Sequence, residues 1–347
     1  MRSKGHETGR AAALVLAVLL AVGLAAGTAW AQGKKPVVLR HGHGGGVPSD
    51  IAPVLFTPWI QQNVLKHYGK VYTVQWTRTK GSPHAAAMLA AGEADLATLS
   101  FTTIAFTILK NSVPGGVKVV ADTKIDGYPG YRSNVWVVRA EEPIHKVADL
   151  KGRVVSMNEF GAGLDVGLRV MLRKHGLDPL KDVNIVEINF GNQGPALRQK
   201  RIDLALLLQP FEGREFKKGG IRRLFTLKDA IGTNHMIFQV ATNKILKEQP
   251  EAVRAYFDDY VRALQWYLDP KNRPKMLDVV AEATKLPKES YGYFLTQEDD
   301  FRDPNACPRL EYIQRPVDLM LELGFIKERA DISKHFDTSY LPSPCKA

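Results

Sequence analysis

The sequence predicts an α/β protein of two lobes, each a sheet flanked by helices, with a ligand cleft between them. Three observations carry this. Short apolar runs alternate with helix-patterned segments from residue 35 to about 122, and again from 135 to 208. A stretch rich in Gly, Pro, Tyr and Asn, KIDGYPGYRSN (124–134), separates the two series, and from Lys244 onward the pattern is almost wholly helical. Near-continuous apolar strands joined by helices mark a parallel sheet covered on both faces.

The chain opens with a cationic segment carrying Arg2, Lys4 and Arg10, then an apolar run from Ala11 to about Ala26, then Ala29 and Ala31 around Trp30. This is the pattern of a secretory signal peptide over residues 1–31, cleaved before Gln32. Its apolar core is short for a membrane span. The expectation is a periplasmic chain of about 316 residues, enough for two lobes with their own cores. The formal charge of +11 falls to about +9 without the three bases and one acid of that segment, which suits an anionic ligand or surface. Lysines and arginines are scattered, with no dense cluster interleaved with aromatics, so nucleic acid is not expected as a partner. The two cysteines, Cys307 and Cys345, either pair in an oxidising compartment or stay as thiols, and spacing leaves both open.

In the first lobe, taken as residues 32–132, KPVVLRHG (35–42) reads as a strand, IAPVLFTPWIQQNVLKHY (51–68) as mostly helix and KVYTVQWTRT (70–79) as a strand. SPHAAAMLAAG starts a helix with Ser82 as its cap and Pro83 in the first turn, and ends at Gly92. ADLATLS is a short buried strand, TTIAFTILKN a helix and VKVVADT another buried strand. The second lobe, residues 133–238, runs through VWVVRA, RVVSMNE, the helix GLDVGLRVMLRKHG, VNIVEIN, the helix GPALRQKR and IDLALLLQ. HMIFQVATN (235–243) leads away from that series, and residues 239–347 return to the first lobe as a mostly helical part. The crossings near Tyr131 and near Val240 are the expected hinges, with Trp136 beside the first as a reporter of closure.

Candidate ligand contacts gather where strands end. VVSMNEFGAGLD (154–165) is a strand turning into a helix through Gly161, Ala162 and Gly163. Such a helix start offers free N–H donors to an anionic or carbonyl oxygen, or is a glycine corner needed only for packing. GAGLDVG nearly matches the dinucleotide fingerprint, with Glu187 placed as the ribose acid, but Val166 stands at the third glycine, so no nucleotide cofactor is assigned. His41 and His43 alternate at strand spacing and are two metal-type side chains without a third; His43 and Gly44 read instead as a loop that brings backbone to a ligand, within Gly42–Gly46. Ser100, Phe101, Thr102 and Thr103 follow a buried strand, with more hydroxyls than one helix cap needs. Gln209, Phe211 and Glu212 at a further strand end suit a small organic ligand. G-x-S-x-G, H-E-x-x-H and G-x-x-x-x-G-K-[ST] are absent, and no catalytic residue or metal is assigned.

The segments AMLAAGEADLATLS, EEPIHKVADLKGRVVSMNEFGAG, LRVMLRKHGLDPLKDVNIV (168–186) and ALRQKRIDLALLLQPF together resemble, over most of the mature chain, the periplasmic substrate-binding proteins of ABC importers of the nitrate/sulfonate/taurine type, relatives of the thiamine-pyrimidine-precursor binding proteins. The resemblance implies a type II periplasmic binding-protein fold, no catalysis, a monomer, and a membrane permease with a cytoplasmic ATPase pair as partner. It also implies a ligand held by His43 and Gly44, Ser100 and Thr102, Gly161–Gly163, and Gln209 with Phe211. The family commonly has an acidic residue where Gln209 stands, so an amine held at that point is in doubt. A basic chain favours an oxyanion, whereas Glu159 and Glu212 near the cleft oppose a simple inorganic one. The expected ligand is therefore a small organic anion or zwitterion. An exported enzyme or a ligand-sensing receptor on the same fold is the alternative.

Overall fold

A computed structural model of the chain describes residues 35–44 and 50–345. The expected signal peptide and its cleavage point lie outside the described residues, as do residues 45–46 of the glycine run. Among the described residues, no helix is long and apolar enough to cross a membrane.

Among the described residues ten strands are formed: β1 (Val37–Gly44), β2 (Tyr72–Thr79), β3 (Leu96–Ser100), β4 (Val117–Asp126), β5 (Val135–Arg139), β6 (Val154–Met157), β7 (Asn184–Glu187), β8 (Ala205–Leu207), β9 (Ile221–Thr226) and β10 (Asn234–Thr242). The first sheet has the order β2-β1-β3-β10-β4. Strand β1 runs parallel to β2 and β3, while β10 is antiparallel to both β3 and β4. In the second lobe β5 is antiparallel to β8 and β9, and β6 is parallel to β7. A parallel bridge at Val155 and Leu204, where the Ser156 N–H donates to the Leu204 carbonyl at 3.0 Å, joins these into the order β7-β6-β8-β5-β9.

Both sheets therefore follow one plan, four parallel strands with one antiparallel strand inserted before the last. The fully parallel sheets expected from the apolar runs are corrected at β5 and β10, and the reason is topological. Each crossing leaves from the carboxyl edge of one sheet, so the strand it delivers enters the other sheet from that edge and must run against its neighbours. Strand β10 pairs with β4 from Asn234 onward, which places residues 234–238 in the first sheet and Val240 in mid-strand.

The helices are α1 (Pro58–Asn63), α2 (Ser82–Ala90), α3 (Phe101–Leu109), α4 (Gly163–Lys174), α5 (Phe190–Arg198), α6 (Phe211–Lys217), α7 (Leu227–Ile231), α8 (Asn243–Glu248), α9 (Pro250–Leu268), α10 (Arg273–Thr284) and α11 (Leu310–Glu322). The long helix expected over 51–68 is reduced to a 3₁₀ turn at Val54–Phe56 and α1. Its continuation is drawn off by Asp259 of α9, whose buried carboxylate accepts the amides of Lys66, His67 and Tyr68 at 2.7–3.0 Å and the Tyr72 hydroxyl at 2.9 Å. Ser82 is the first residue of α2 and makes no capping bond; Gly81 holds the cap position. Residues 285–309 are irregular apart from a 3₁₀ turn at Lys288–Tyr291, an interruption in the part expected to be almost wholly helical.

One apolar cluster packs Leu39, Phe56 and Tyr72 against Tyr256, Phe257 and Leu264 of α9. A second runs from Ala85 and Leu99 in the first lobe to Trp136, Leu168 and Leu206 in the second. Trp136 is fully buried there, stacked on Phe225 at 4.9 Å, so it reports on the second core and not on an exposed crossing.

Cys307 and Cys345 form a disulfide with Cα atoms 5.5 Å apart. It fastens the tail to an irregular segment that lies along β4, where Asp122 and Ile125 donate their amides to the carbonyls of Ala306 and Phe301. Closing a loop of 38 residues restricts the unfolded chain by about 2–4 kcal/mol. Cys345→Ser should lower the melting midpoint by several degrees, and reduction of the wild type should do the same while leaving the variant unmoved.

Candidate functional site

The carboxyl edges of the two sheets face each other across a half-open cavity of about 50 Å³. The first lobe lines it with Gly44 at the end of β1, Asp50, Gly81 and Ser82 at the start of α2, and Met236 and Ile237 of β10. The second lobe lines it with Asn158 after β6, Ala162 and Leu164 at the start of α4, Phe190 at the start of α5 and Leu208 after β8. Strand-to-helix junctions of both lobes thus converge, where α/β sheets place their ligands.

Asp50 is the ionisable side chain among the described lining residues, and it is fully buried. Its Oδ1 accepts the Ala52 amide at 3.3 Å, its Oδ2 makes no hydrogen bond of good geometry, and the Thr98 hydroxyl faces the same carboxyl. Burial pushes the carboxyl up to about 6, against the Thr98 hydroxyl, the Ala52 amide and the charges of Lys124 and Arg302. Across the cavity, Asn158 Oδ1 is also buried without a partner, and so is Glu159 Oε2. Burial, followed by the neighbouring Glu187 carboxylate, raises the Glu159 pKa. The Glu159 carboxyl closes directly over Gly81, where a Cβ would meet it at 2.0 Å.

The glycine corner of the second lobe is tightly used. Gly161 has φ of +79°, its amide donates to Asp165 at 2.9 Å, and the preceding Phe160 amide donates to Glu187 at 2.6 Å. Glu187 therefore closes the corner. Gly163 sits against Phe101 and Met236, which a Cβ would approach to 3.1 and 2.9 Å. Ala162 is the member of this trio that lines the cavity.

The hydroxyls after β3 are committed to the protein. Ser100 caps α3 through the Thr103 amide and bonds the Thr102 and Thr103 hydroxyls, and Phe101 is fully buried core. Thr102 donates to the Gly161 carbonyl at 2.9 Å, a bond from one lobe to the other. Thr102→Val removes it, at a net cost of about 1 kcal/mol to the closed arrangement. Solute affinity should fall several-fold with the melting midpoint of the unliganded chain shifted by less than two degrees, as read by calorimetry and thermal denaturation.

Gln209, Phe211 and Glu212 lie outside the described lining. Gln209 precedes a cis bond to Pro210, and its amide oxygen accepts from Gly213 at 3.3 Å. The Phe211 ring packs on Gly191 and under Arg214. Glu212 is buried and ion-paired with Arg132 of the first crossing, which also bonds Asp300 at 2.9 Å. Burial alone lowers the Arg132 pKa, but the Glu212 and Asp300 charges outweigh it and raise it, so the guanidinium stays charged.

His43 precedes Gly44 with its ring against Trp76, and His41 stacks on Trp76 at 4.6 Å with Nε2 3.4 Å from Gln239. Burial drives both imidazoles neutral, His43 to about 4 and His41 to about 3. The metal-type trio among the described residues is elsewhere, His67 with Asp258 and Asp259, and the Asp259 oxygens there are filled by the bonds that end α1.

Of the sequence-derived candidates, Gly44 and Ala162 come together at the cavity; Asp50, Ser82, Asn158, Leu164, Phe190, Leu208, Met236 and Ile237 join them unforeseen. Each lies in or within three residues of a segment already singled out, or at a helix start, which is the signal a strand-end reading could have used. Asp50 closes the segment RHGHGGGVPSD, but nothing in the sequence marks its side chain as buried on the cavity wall.

The model of the NMT1/THI5-like family matches residues 73–273. No curated protein sequence matches the chain. Solved structures share its fold. The alkanesulfonate-binding protein SsuA from Xanthomonas axonopodis pv. citri, bound to MOPS, superposes with a TM-score of 0.67 at 16% identity, over 87% of this chain and 99% of that one. The periplasmic nitrate-binding protein NrtA from Synechocystis PCC 6803 gives 0.67 at 15% identity, over 88% and 87%. The desulfurization enzyme DSZB gives 0.59 at 14% identity, over 88% and 97%. The two-lobed fold is that of periplasmic binding proteins, and with more than half of its length matched by the family model, the chain belongs to the NMT1/THI5-like family.

Proposed function

We propose that this chain is an exported periplasmic solute-binding protein, a monomer that captures a small organic solute between its two lobes and delivers it to the permease of an ABC importer with a cytoplasmic ATPase pair. The observation that carries the reading is the half-open cavity walled by strand ends of both lobes. One ligand touching both walls stabilises the closed form over the open one, which is how a solute shifts such a population. The solute-binding proteins among its structural neighbours support the same reading. A zwitterion fits better than a bare anion, because the described lining offers a carboxylate and no lysine or arginine.

The test is thermal denaturation of residues 32–347, unfolded and refolded to strip carried solute, against sulfonates, carboxylates, amino acids, amines, nitrate and bicarbonate. At a hundred times its Kd a solute adds about 2.7 kcal/mol and raises the midpoint by several degrees. One chemical class should do this and be recovered unchanged after incubation. A solute recovered as a product identifies an enzyme on this fold, as DSZB is. A midpoint that no class moves contradicts the proposal.

A further inference from the structure

Three buried acceptor oxygens on or beside the cavity wall make no hydrogen bond: Asp50 Oδ2 from the first lobe and Asn158 Oδ1 from the second, both of lining residues, and Glu159 Oε2, which lies over Gly81. Such atoms are rare in a folded protein, since an unpaired buried acceptor costs the full loss of its hydration. The remaining described lining is apolar or small and carries no lysine or arginine; the cation whose charge reaches Glu159 is Lys80, next to Gly81. The two cations nearest in charge to Asp50 belong to other carboxylates: Lys124 bonds Asp300 at 2.8 Å, and Arg302 bonds Asp299 at 3.0 Å.

We propose that the cavity recognises a primary ammonium group, with Asp50 as its counter-ion and Asn158 as a second acceptor from the opposite lobe. This rests on the solute-binding reading and names its chemical class. An ammonium has three donors and no acceptor, so it satisfies both oxygens at once and only when the lobes are closed. A sulfonate or nitrate oxygen brought to the same end would face two carboxylates. The carboxylate needed for an amine is thus supplied by the first lobe, in a chain whose second-lobe strand end carries the uncharged Gln209.

The test uses matched pairs that differ in the amine alone: ethanolamine against ethylene glycol, taurine against isethionate, and β-alanine against propionate. Each is titrated by calorimetry into the refolded wild type and into Asp50→Asn, with circular dichroism to show that the variant folds. The proposal expects the amine member of at least one pair to bind, its partner to bind on the order of 30-fold more weakly or not at all, and Asp50→Asn to lose a similar factor. Should Asp50→Asn not fold, Asn158→Leu in the other lobe tests the same contact and should weaken the amine by about tenfold. An amine-free member that binds as tightly as its partner overturns the assignment and leaves solute binding standing, and so does an amine that binds the Asp50 and Asn158 variants as well as the wild type. Silence from every member of the pairs, together with silence in the wider panel, overturns the solute-binding reading itself.

Discussion

Arg132→Met should destabilise the protein by about 3–5 kcal/mol, the usual result of removing one partner from a buried ion pair. Arg132 is the meeting point of three parts of the chain. It stands on the first crossing, pairs with Glu212 of α6 in the second lobe, and pairs with Asp300 of the irregular segment that covers the first. Asp300 would keep Lys124, but Glu212 would keep only Arg223 at 3.7 Å, a side chain that is half exposed. A nearly uncompensated carboxylate would then be buried at the crossing. Denaturant unfolding measures the loss. A double variant that also carries Glu212→Leu should recover much of it, since an apolar pair is often as stable as a buried ionic one. A double variant that recovers none of the loss would contradict this account of the crossing.

The second large effect runs the other way. Asp50→Asn should stabilise the unliganded protein at pH 7.5 by up to about 3 kcal/mol. The folded chain raises this carboxyl from 3.8 to about 6, so the folded state holds its proton more tightly than the unfolded state does. Stability from this group is therefore lost as pH rises from about 4 to about 6, and above that the whole penalty is present. The groups that face it are Lys124 of β4, Arg302 of the irregular segment, and Tyr256 and Tyr260 of α9, and none of these changes charge over that range. An amide removes the penalty, so the gain over wild type should be seen at pH 7.5 and vanish near pH 4. A variant less stable than wild type at pH 7.5 would assign Asp50 a structural role instead. A residue kept at the expense of stability is what a binding site requires, and the same substitution is expected to abolish recognition of the ammonium.

Much of the architecture was legible in the sequence because buried strands announce themselves. ATLS of β3 and VKVVAD of β4 are continuous apolar runs, and the Gly/Pro/Tyr stretch at 124–134 does divide the two sheets. Strand β9 was missed because IRRLFT lies at the edge of its sheet, half exposed and carrying two arginines, and so shows no apolar run. The fate of residues 64–71 was hidden for another reason: Asp259, nearly two hundred residues later, takes the amides that a helix needs. The site was half legible. Strand ends are visible in sequence, and Gly44 and Ala162 follow from them. Whether a polar side chain there is already satisfied is not visible, since Thr102 finds the Gly161 carbonyl and Glu212 finds Arg132, each far along the chain. Asp50 stands out only in the folded chain, as a fully buried carboxylate on the cavity wall.

The most direct test of the central claim is a crystal structure of the refolded chain grown with whichever amine of the matched pairs binds best. The account expects density for that molecule between the lobes, with its nitrogen within about 3 Å of both Asp50 and Asn158. Density with the nitrogen turned away from Asp50, or a molecule bound outside the cavity between the sheets, would contradict it.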